Sequence, residues 1–146
     1  MVKEHLLYIG GSWRNGSGGT APAVSPSSAE QFATVAVADG ADADSAVSSA
    51  AAAFPDWAAA SAFERAQACQ RIVAGIADRR DDLARALSQD QGKPLLAEAY
   101  DEVDELAGYF SMAGEDAKRM AGSLPASTSA DRRVLTARRG GRFAYR

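Results

Sequence analysis

The side chains that could perform covalent or acid–base chemistry in this sequence are few and lie far apart. One cysteine, Cys69, and one histidine, His5, are present among 146 residues. A catalytic thiolate needs an electropositive, partly exposed setting, such as a helix N-terminus or a neighbouring histidine. Cys69 instead shares a predicted helix face with Ile72, Val73 and Ile76, where a thiol behaves as a small apolar group. We therefore interpret Cys69 as a core residue.

The other polar candidates favour structural roles as well. His5 is expected to be frayed and solvated, and there is no second imidazole or cysteine cluster with which it could bind a metal. An acidic run on a predicted helix could suggest paired carboxylates for acid–base work. The run comprises Asp101, Glu102, Asp104 and Glu105. Helical spacing places most of these carboxylates away from the apolar side, which is typical of a solvated face.

The glycine-rich segments lack the pattern of a phosphate-binding loop. A dinucleotide fingerprint needs G-x-G-x-x-G between a strand and a helix, and no helical pattern follows these glycines. They are Gly10-Gly11, Gly16, Gly18-Gly19 and, near the end of the sequence, Gly140-Gly141. Lys93 lacks the spacing of a Walker phosphate-binding motif. The Gly-Lys-Pro triplet is explained by local structure, because the glycine before Lys93 can end one helix and the proline after it can begin the next. The sequence thus predicts no catalytic, cofactor-binding or metal-binding residue.

Composition narrows the class of protein. Only 25 of 146 residues, about 17%, are Leu, Ile, Val or Phe, which indicates a thin core that needs another surface to pack against. An isoelectric point of about 5.1 argues against nucleic acid as a partner. No apolar run reaches the roughly 20 residues that span a bilayer, and no signal peptide is evident. A single cysteine makes the reducing cytoplasm the default location.

The elements that must position these side chains begin with a small amount of β structure. Residues 6–14 predict a hairpin that turns at Gly10-Gly11. A Gly/Ser-rich flexible loop is expected over 15–20 and a turn over 25–28. A second strand is predicted over 31–37.

Helices are predicted over most of the remaining chain. Asp39 is expected to cap a helix that Pro55 stops, and Ser61 to open a second one through a capping box. A third segment ends at Gly92, and a long helix runs from Pro94 to near Gly122. The apolar stripe predicted for the first helix is Ala43, Val47, Ala50 and Phe54; a Leu83–Leu87 pair marks the third segment. The buried side predicted for the long helix is Leu96, Tyr100, Val103, Leu106 and Phe110.

Several short motifs follow one another in a specific order. They are Tyr8-Ile9-Gly10-Gly11-Ser12-Trp13, the passage from Ala33-Thr34-Val35 to Asp42-Ala43-Asp44-Ser45-Ala46-Val47, Ala52-Ala53-Phe54-Pro55-Asp56-Trp57, Glu64-Arg65, and Gln91-Gly92-Lys93-Pro94 with Glu102-Val103. Together, over residues 6–139, they resemble the N-terminal part of the NAD(P)-dependent aldehyde dehydrogenase superfamily. The tract 90–139 is similar to the succinate-semialdehyde type or to a general aliphatic subgroup.

The resemblance implies an α/β family fold, of which this stretch is mainly α-helical with a minor N-terminal β-hairpin and edge strands. It implies that residues 1–139 are the N-terminal segment of the cofactor domain, entering the oligomerisation arm near Arg133. The tail 140–146 departs from the family, as an out-of-register reading of the gene or an early stop would produce. The family oxidises aldehydes with a cysteine thiolate, a glutamate that activates water and an asparagine that holds the oxyanion. All three residues are expected beyond this stretch, so no catalytic or cofactor-binding residue of the family is assigned to a position in this sequence.

Three interpretations stay open at this point. The chain is a truncated or split aldehyde dehydrogenase segment that is inactive alone, or a non-catalytic module that docks on a full-length relative or a complementary fragment. The third is a full-length enzyme whose remaining sequence was lost. NAD or NADP is the cofactor expected for the full-length family, and none is expected to bind this chain alone. Self-association or docking on a homologous chain is the expected partnership, with no nucleic acid and no membrane.

Overall fold

The computed structural model describes residues 3–120 and 122–136. Within these residues, five strands precede four helices. The strands are β1 (Lys3–His5), β2 (Leu7–Ile9), β3 (Ser12–Arg14), β4 (Thr20–Val24) and β5 (Gln31–Ala36). The helices are α1 (Gly40–Ala59), α2 (Ala62–Asp78), α3 (Arg80–Gln91) and α4 (Tyr100–Arg119), and a π-helical turn (Leu95–Ala99) precedes α4. The expected class, mainly α-helical with a minor β component, is confirmed.

A three-stranded sheet has the order β1-β5-β4, with β1 parallel and β4 antiparallel to the central β5. The prediction of β5 is confirmed, whereas β1 and β4 were missed. β4 contains Pro22, which an edge strand tolerates because one of its sides needs no ladder partner. Its alternating pattern places only Ala21 and Ala23 inward, so no large apolar residue signals it. The prediction that His5 is frayed is wrong, because its backbone pairs with Val35, although the side chain is exposed.

The predicted hairpin is confirmed as the antiparallel pair β2–β3, in which Tyr8 lies opposite Trp13. Both residues of its turn have positive φ, 61° at Gly10 and 81° at Gly11. This geometry matches the strand twist and is open to glycine without steric cost. The aromatic pair lies on the exposed side of the hairpin.

Helix α1 begins as predicted and ends later than predicted. Asp39 caps it, and Asp42 at the third position completes a capping box. Pro55 does not stop the helix, which continues to Ala59. Proline removes the hydrogen bond to the carbonyl four residues earlier, but here that residue, Ala51, is exposed, so water can satisfy the freed carbonyl.

The main apolar core lies among α2, α3, α4 and the π-helical turn. Its buried members are Ile76, Ala84, Ala99 and Val103. The predicted capping box of α2 is present, with Glu64 N–H donating to Ser61 Oγ and Ser61 N–H to Glu64 Oε2. Helix α3 ends at Gly92, whose φ of 73° is the predicted left-handed cap. Small side chains let these helices approach closely.

The π-helical turn changes which of the residues just before α4 are buried. Leu96 is 82% exposed and Leu106 is 42% exposed, so the prediction that they face the core is wrong. A π turn inserts one extra residue relative to α-helical spacing and rotates the residues before it. Leu95 and Ala99 take the inward positions instead. Val103, Tyr100 and Phe110 do pack on the core, as predicted.

The segment after α4 carries little regular structure in the part that is described. Thr136 N–H donates to the carbonyl of Ser123 at 2.9 Å in an isolated antiparallel bridge. The strand predicted from Arg133 is not present over residues 133–135, and its remainder, like the tail 140–146 and Gly140-Gly141, lies outside the described residues.

Candidate functional site

Cys69 lies on the α2 face that packs against α4, as its apolar spacing predicted. It is half-buried, and a Cβ added to Gly114 of α4 would lie 3.2 Å from the Cβ of Cys69. This contact leaves the thiol between two helices. Among residues 3–120 and 122–136, no group of three or more His, Cys, Asp or Glu side chains could hold a metal ion.

Three of the four carboxylates in the acidic run, those of Glu102, Asp104 and Glu105, take part in ion pairs or hydrogen bonds. Arg80 donates two hydrogen bonds to Asp104, each 2.6 Å long, and its guanidinium stacks 4.4 Å above the ring of Tyr100. The hydrogen bonds from Arg80 lower the pKa of Asp104. The hydroxyl of Tyr109 donates to Glu105 at 2.6 Å, which raises the pKa of Tyr109. The arrangement fastens α3 to α4 and leaves no carboxylate pair facing a common reacting centre.

Lys93 forms an ion pair with Glu102 across the π-helical turn. This contact joins the segment after the α3 cap to the first turn of α4. Together with the left-handed cap at Gly92, which was predicted, this ion pair gives the Gly-Lys-Pro triplet a structural role.

The glycines after the hairpin are packed against backbone, so the prediction of a flexible loop over 15–20 is wrong. Gly18 N–H donates to the carbonyl of Val37, and Val37 N–H donates to the carbonyl of Gly19, both at 2.9 Å. A Cβ on Gly16 would lie only 2.1 Å from the Val37 carbonyl oxygen. A phosphate-binding loop directs its backbone N–H groups at the ligand, whereas the Gly18 N–H is already donated to the carbonyl of Val37. These residues do not fit a nicotinamide cofactor.

The sequence interpretation missed a buried carboxylate that anchors α1. Asp42 is 1% exposed, and its Oδ1 accepts a hydrogen bond of 2.7 Å from Arg14 of β3. Its Oδ2 accepts from Ser17 N–H at 2.6 Å and from Asp39 N–H at 3.3 Å. Hydrogen bonds from Ser17 N–H and from Arg14 lower the pKa of Asp42 to about 2. With its oxygens engaged in this way, Asp42 is a structural anion and not a general base.

Several large apolar side chains of α1 and the hairpin are exposed, and we call this set the hairpin–α1 surface. It comprises Tyr8, Trp13, Val47, Phe54 and Trp57, with exposed fractions between 38% and 69%. The Tyr8 and Trp13 rings stack with their centroids 4.9 Å apart. All four residues of the apolar stripe predicted on α1, Ala43, Val47, Ala50 and Phe54, are exposed, so the prediction that this stripe faces a core is wrong.

A shallow concavity extends the hairpin–α1 surface where α1 crosses the hairpin turn. It is lined by residues 8–11 and by Ala46, Ser49, Ala50, Ala52 and Ala53. Exposed apolar side chains on neighbouring elements make this face a candidate interaction site. Within the described residues, no helix combines the length and apolar character needed to cross a bilayer.

Comparison with known proteins gives a consistent result. A family model described as "Aldehyde dehydrogenase family" matches residues 13–140. The 3-sulfolactaldehyde dehydrogenase of Pseudomonas putida is 35% identical over 136 residues, which is 92% of this chain and 28% of that protein. The chain thus spans little more than a quarter of that relative.

Solved structures agree with this match. The succinate-semialdehyde dehydrogenase of Burkholderia pseudomallei is similar with a TM-score of 0.81 and 33% identity, over 90% of this chain and 27% of that one. A betaine aldehyde dehydrogenase from Staphylococcus aureus, solved in complex with NAD+, is similar with a TM-score of 0.78 and 28% identity, over 87% of this chain and 26% of that one. The semialdehyde-type resemblance expected from the sequence is confirmed.

Proposed function

The chain belongs to the aldehyde dehydrogenase family, and from that premise we propose that these 146 residues are a non-catalytic scaffold of an NAD(P)-dependent aldehyde oxidoreductase. The described residues are homologous to the N-terminal portion of such enzymes. We propose that the nucleophile, the water-activating carboxylate, the oxyanion donor and the nicotinamide pocket are supplied by residues outside this stretch, so that the stretch is inactive alone.

The hairpin–α1 surface is the observation that carries the proposal. Two of its residues, Trp13 and Val47, are more than two-thirds exposed, although each is a residue type that favours burial. Fully burying one such side chain contributes about 1.5–3 kcal/mol, so leaving the whole surface in water is unfavourable. A counterpart that covers this surface would recover that free energy. The single thiol also supports the proposal of a non-catalytic scaffold, because Cys69 packs against Gly114 of a neighbouring helix.

An activity assay is the first test. We expect the purified chain to form no NADH or NADPH when it is supplied with NAD+ or NADP+ and succinic semialdehyde. The Burkholderia pseudomallei relative serves as the positive control. Sustained turnover by the chain alone would refute the scaffold proposal.

A capture experiment tests the docking part of the proposal. The bait is the same relative shortened by the N-terminal segment that this chain matches. We expect the chain to bind this shortened enzyme, and Val47→Asp or Trp57→Asp to weaken binding about tenfold or more, because a charge would be buried at the centre of the contact. Leu124→Asp, a matched change at a residue 71% exposed and outside the surface, should leave binding unchanged.

The same experiment separates a second candidate function, a module that docks on an intact relative. The exposure of the hairpin–α1 surface favours this alternative equally. If the scaffold proposal holds, the intact relative should not capture the chain, because its own N-terminal segment already covers the contact. Capture by the intact relative would establish the docking module.

In the absence of a counterpart, we propose that the chain associates with itself or is weakly stable. Sedimentation velocity at rising concentration should show species larger than 15.2 kDa, and Val47→Asp should reduce them. A monomer with a sharp melting transition that does not depend on concentration would contradict this.

A further inference from the structure

The polar concavity between the β4–β5 turn and the C-terminal half of α3 has no role in the scaffold described above. We call it the serine–arginine concavity, and it is lined by Ser25, Ser27, Arg85, Ser88, Gln89 and Leu95. We propose that it binds a small oxyanion, a phosphate or a carboxylate, through the Arg85 guanidinium and a serine hydroxyl.

Its charge balance is the first argument. Arg85 is the one charged side chain in the lining, and none of the lining residues is acidic. Among residues 3–120 and 122–136, the ion pairs involve other cations, and no carboxylate lies within 4.0 Å of a guanidinium nitrogen of Arg85. A guanidinium presents a planar fork of donors that matches two oxygens of a carboxylate or a phosphate.

The serine hydroxyls supply the second argument. Ser25 is 5% exposed, and its Oγ lies 3.0 Å from that of Ser27. Only one of the two hydroxyls can donate in this contact, so the other hydroxyl hydrogen is free to point at a ligand. Ser88 is already committed, because its hydroxyl donates to the carbonyl of Lys93 at 2.6 Å. Gln89 adds an amide that can donate from the rim.

The walls of the concavity are held in place before any ligand arrives. The turn is closed by Ser25 N–H donating to the carbonyl of Glu30 at 2.9 Å and by Ala29 N–H donating to the carbonyl of Ser25 at 2.8 Å. On the opposite side, a Cβ on Gly92 would lie 3.2 Å from Pro26 Cγ, so the turn rests directly on the end of α3. A site that is already organised loses less conformational entropy on binding.

A titration of the full chain followed by amide NMR tests the proposal. One arm uses inorganic phosphate and the other acetate, each at constant ionic strength with chloride as the reference. We expect saturable shifts at Ser27, Arg85 and Gln89 in at least one arm. Saturation by phosphate alone identifies a free tetrahedral oxyanion as the ligand, and saturation by acetate identifies a carboxylate.

Charge-matched variants make the test specific. Arg85→Gln should weaken binding about tenfold or more, because hydrogen bonds to a charged group are the strong ones. Arg71→Gln removes the same charge from an exposed residue of α2 and should bind as the unmodified chain does. Ser27→Ala provides a second variant that removes a hydroxyl without changing the charge. Responses that do not saturate in either arm, or that persist in Arg85→Gln, overturn the proposal.

Discussion

A single methyl group at Gly16 should destabilise the fold, because the loop after the hairpin lies directly against the end of β5. A Cβ on Gly16 would lie 2.1 Å from the carbonyl oxygen of Val37. Carbon and oxygen normally approach no closer than about 3.3 Å, so Gly16→Ala must push the loop and the strand apart by about 1 Å. Backbone atoms lie on both sides of this contact, and neither can rotate away as a side chain would.

The size of the effect follows from what the separation breaks. Two backbone hydrogen bonds of 2.9 Å join residues 18 and 19 to Val37, and each contributes about 1 kcal/mol net. Residual strain from an overpacked contact adds about 1–3 kcal/mol. We therefore expect Gly16→Ala to lower the free energy of unfolding by about 3–5 kcal/mol, which for a domain of this size lowers the Tm by about 10–15 °C.

Gly75→Ala is the matched control, since it adds the same methyl group at an exposed position in the last turn of α2, where a Cβ meets nothing within 4 Å. Alanine has the higher helix propensity, so this variant should gain about 0.5–1 kcal/mol. Urea unfolding followed by circular dichroism measures both variants. Equal midpoints for Gly16→Ala and the unmodified chain would refute the packing argument.

Three further predictions concern the π-helical turn, the β4–β5 turn and the buried carboxylate. Leu95→Ala should cost about 1–2 kcal/mol in urea unfolding and Leu96→Ala less than about 0.5 kcal/mol, because only the first side chain packs on the core. Ala29→Gly should gain about 0.5–1 kcal/mol by the same assay, because relief of left-handed strain exceeds the entropic cost of glycine; φ at Ala29 is 57°. Hydrogen bonds lower the pKa of Asp42 from 3.8 to about 2, so stability should hold above about pH 4 and fall as the pH drops toward 2. Asp42→Asn should flatten this acid loss in a series of melts, whereas Asp44→Asn should retain it.

Each of these predictions has an opposite outcome that would contradict its reason. Equal costs for Leu95→Ala and Leu96→Ala would mean that the π turn does not set the buried face. A loss of stability in Ala29→Gly would mean that the turn gains more from alanine than the positive φ costs. If Asp42→Asn loses as much stability at low pH as the unmodified chain does, that loss comes from other carboxylates.

The elements that the sequence predicted correctly are those determined by contacts between residues close together in the chain. Gly10-Gly11 between two β-prone runs predicted the hairpin, and the Ser61–Glu64 pair predicted the start of α2. Both rest on contacts between residues at most a few positions apart. The family resemblance rested on the order of several such local motifs, and the comparisons confirm it.

The features that were missed depend on distant contacts or on a change of period. Asp42 reads as a first-turn acid of α1, and only the fold shows that Arg14, 28 positions earlier, reaches its carboxylate. The burial of Leu96 was mispredicted because an α-helical period was carried back through the π-helical turn, whereas Tyr100, Val103 and Phe110 of α4 were placed correctly. The serine–arginine concavity unites a turn and a helix about 60 residues apart in sequence, so no spacing pattern could reveal it.

Helix α1 is held in its N-terminal half, at Asp42 and beside the hairpin turn, while residues 51–59 are exposed. Helix α1 is fastened at Asp42 and reaches to Ala59 with its outer side chains in water. Twenty residues of helix measure about 30 Å. A tilt of about 10° about the Asp42 end of α1 therefore displaces the other end, at Ala59, by about 5 Å. The orientation of the C-terminal end of α1 is therefore set by the partner that packs against it. The contacts at Asp42 limit how far this end is displaced before that partner binds.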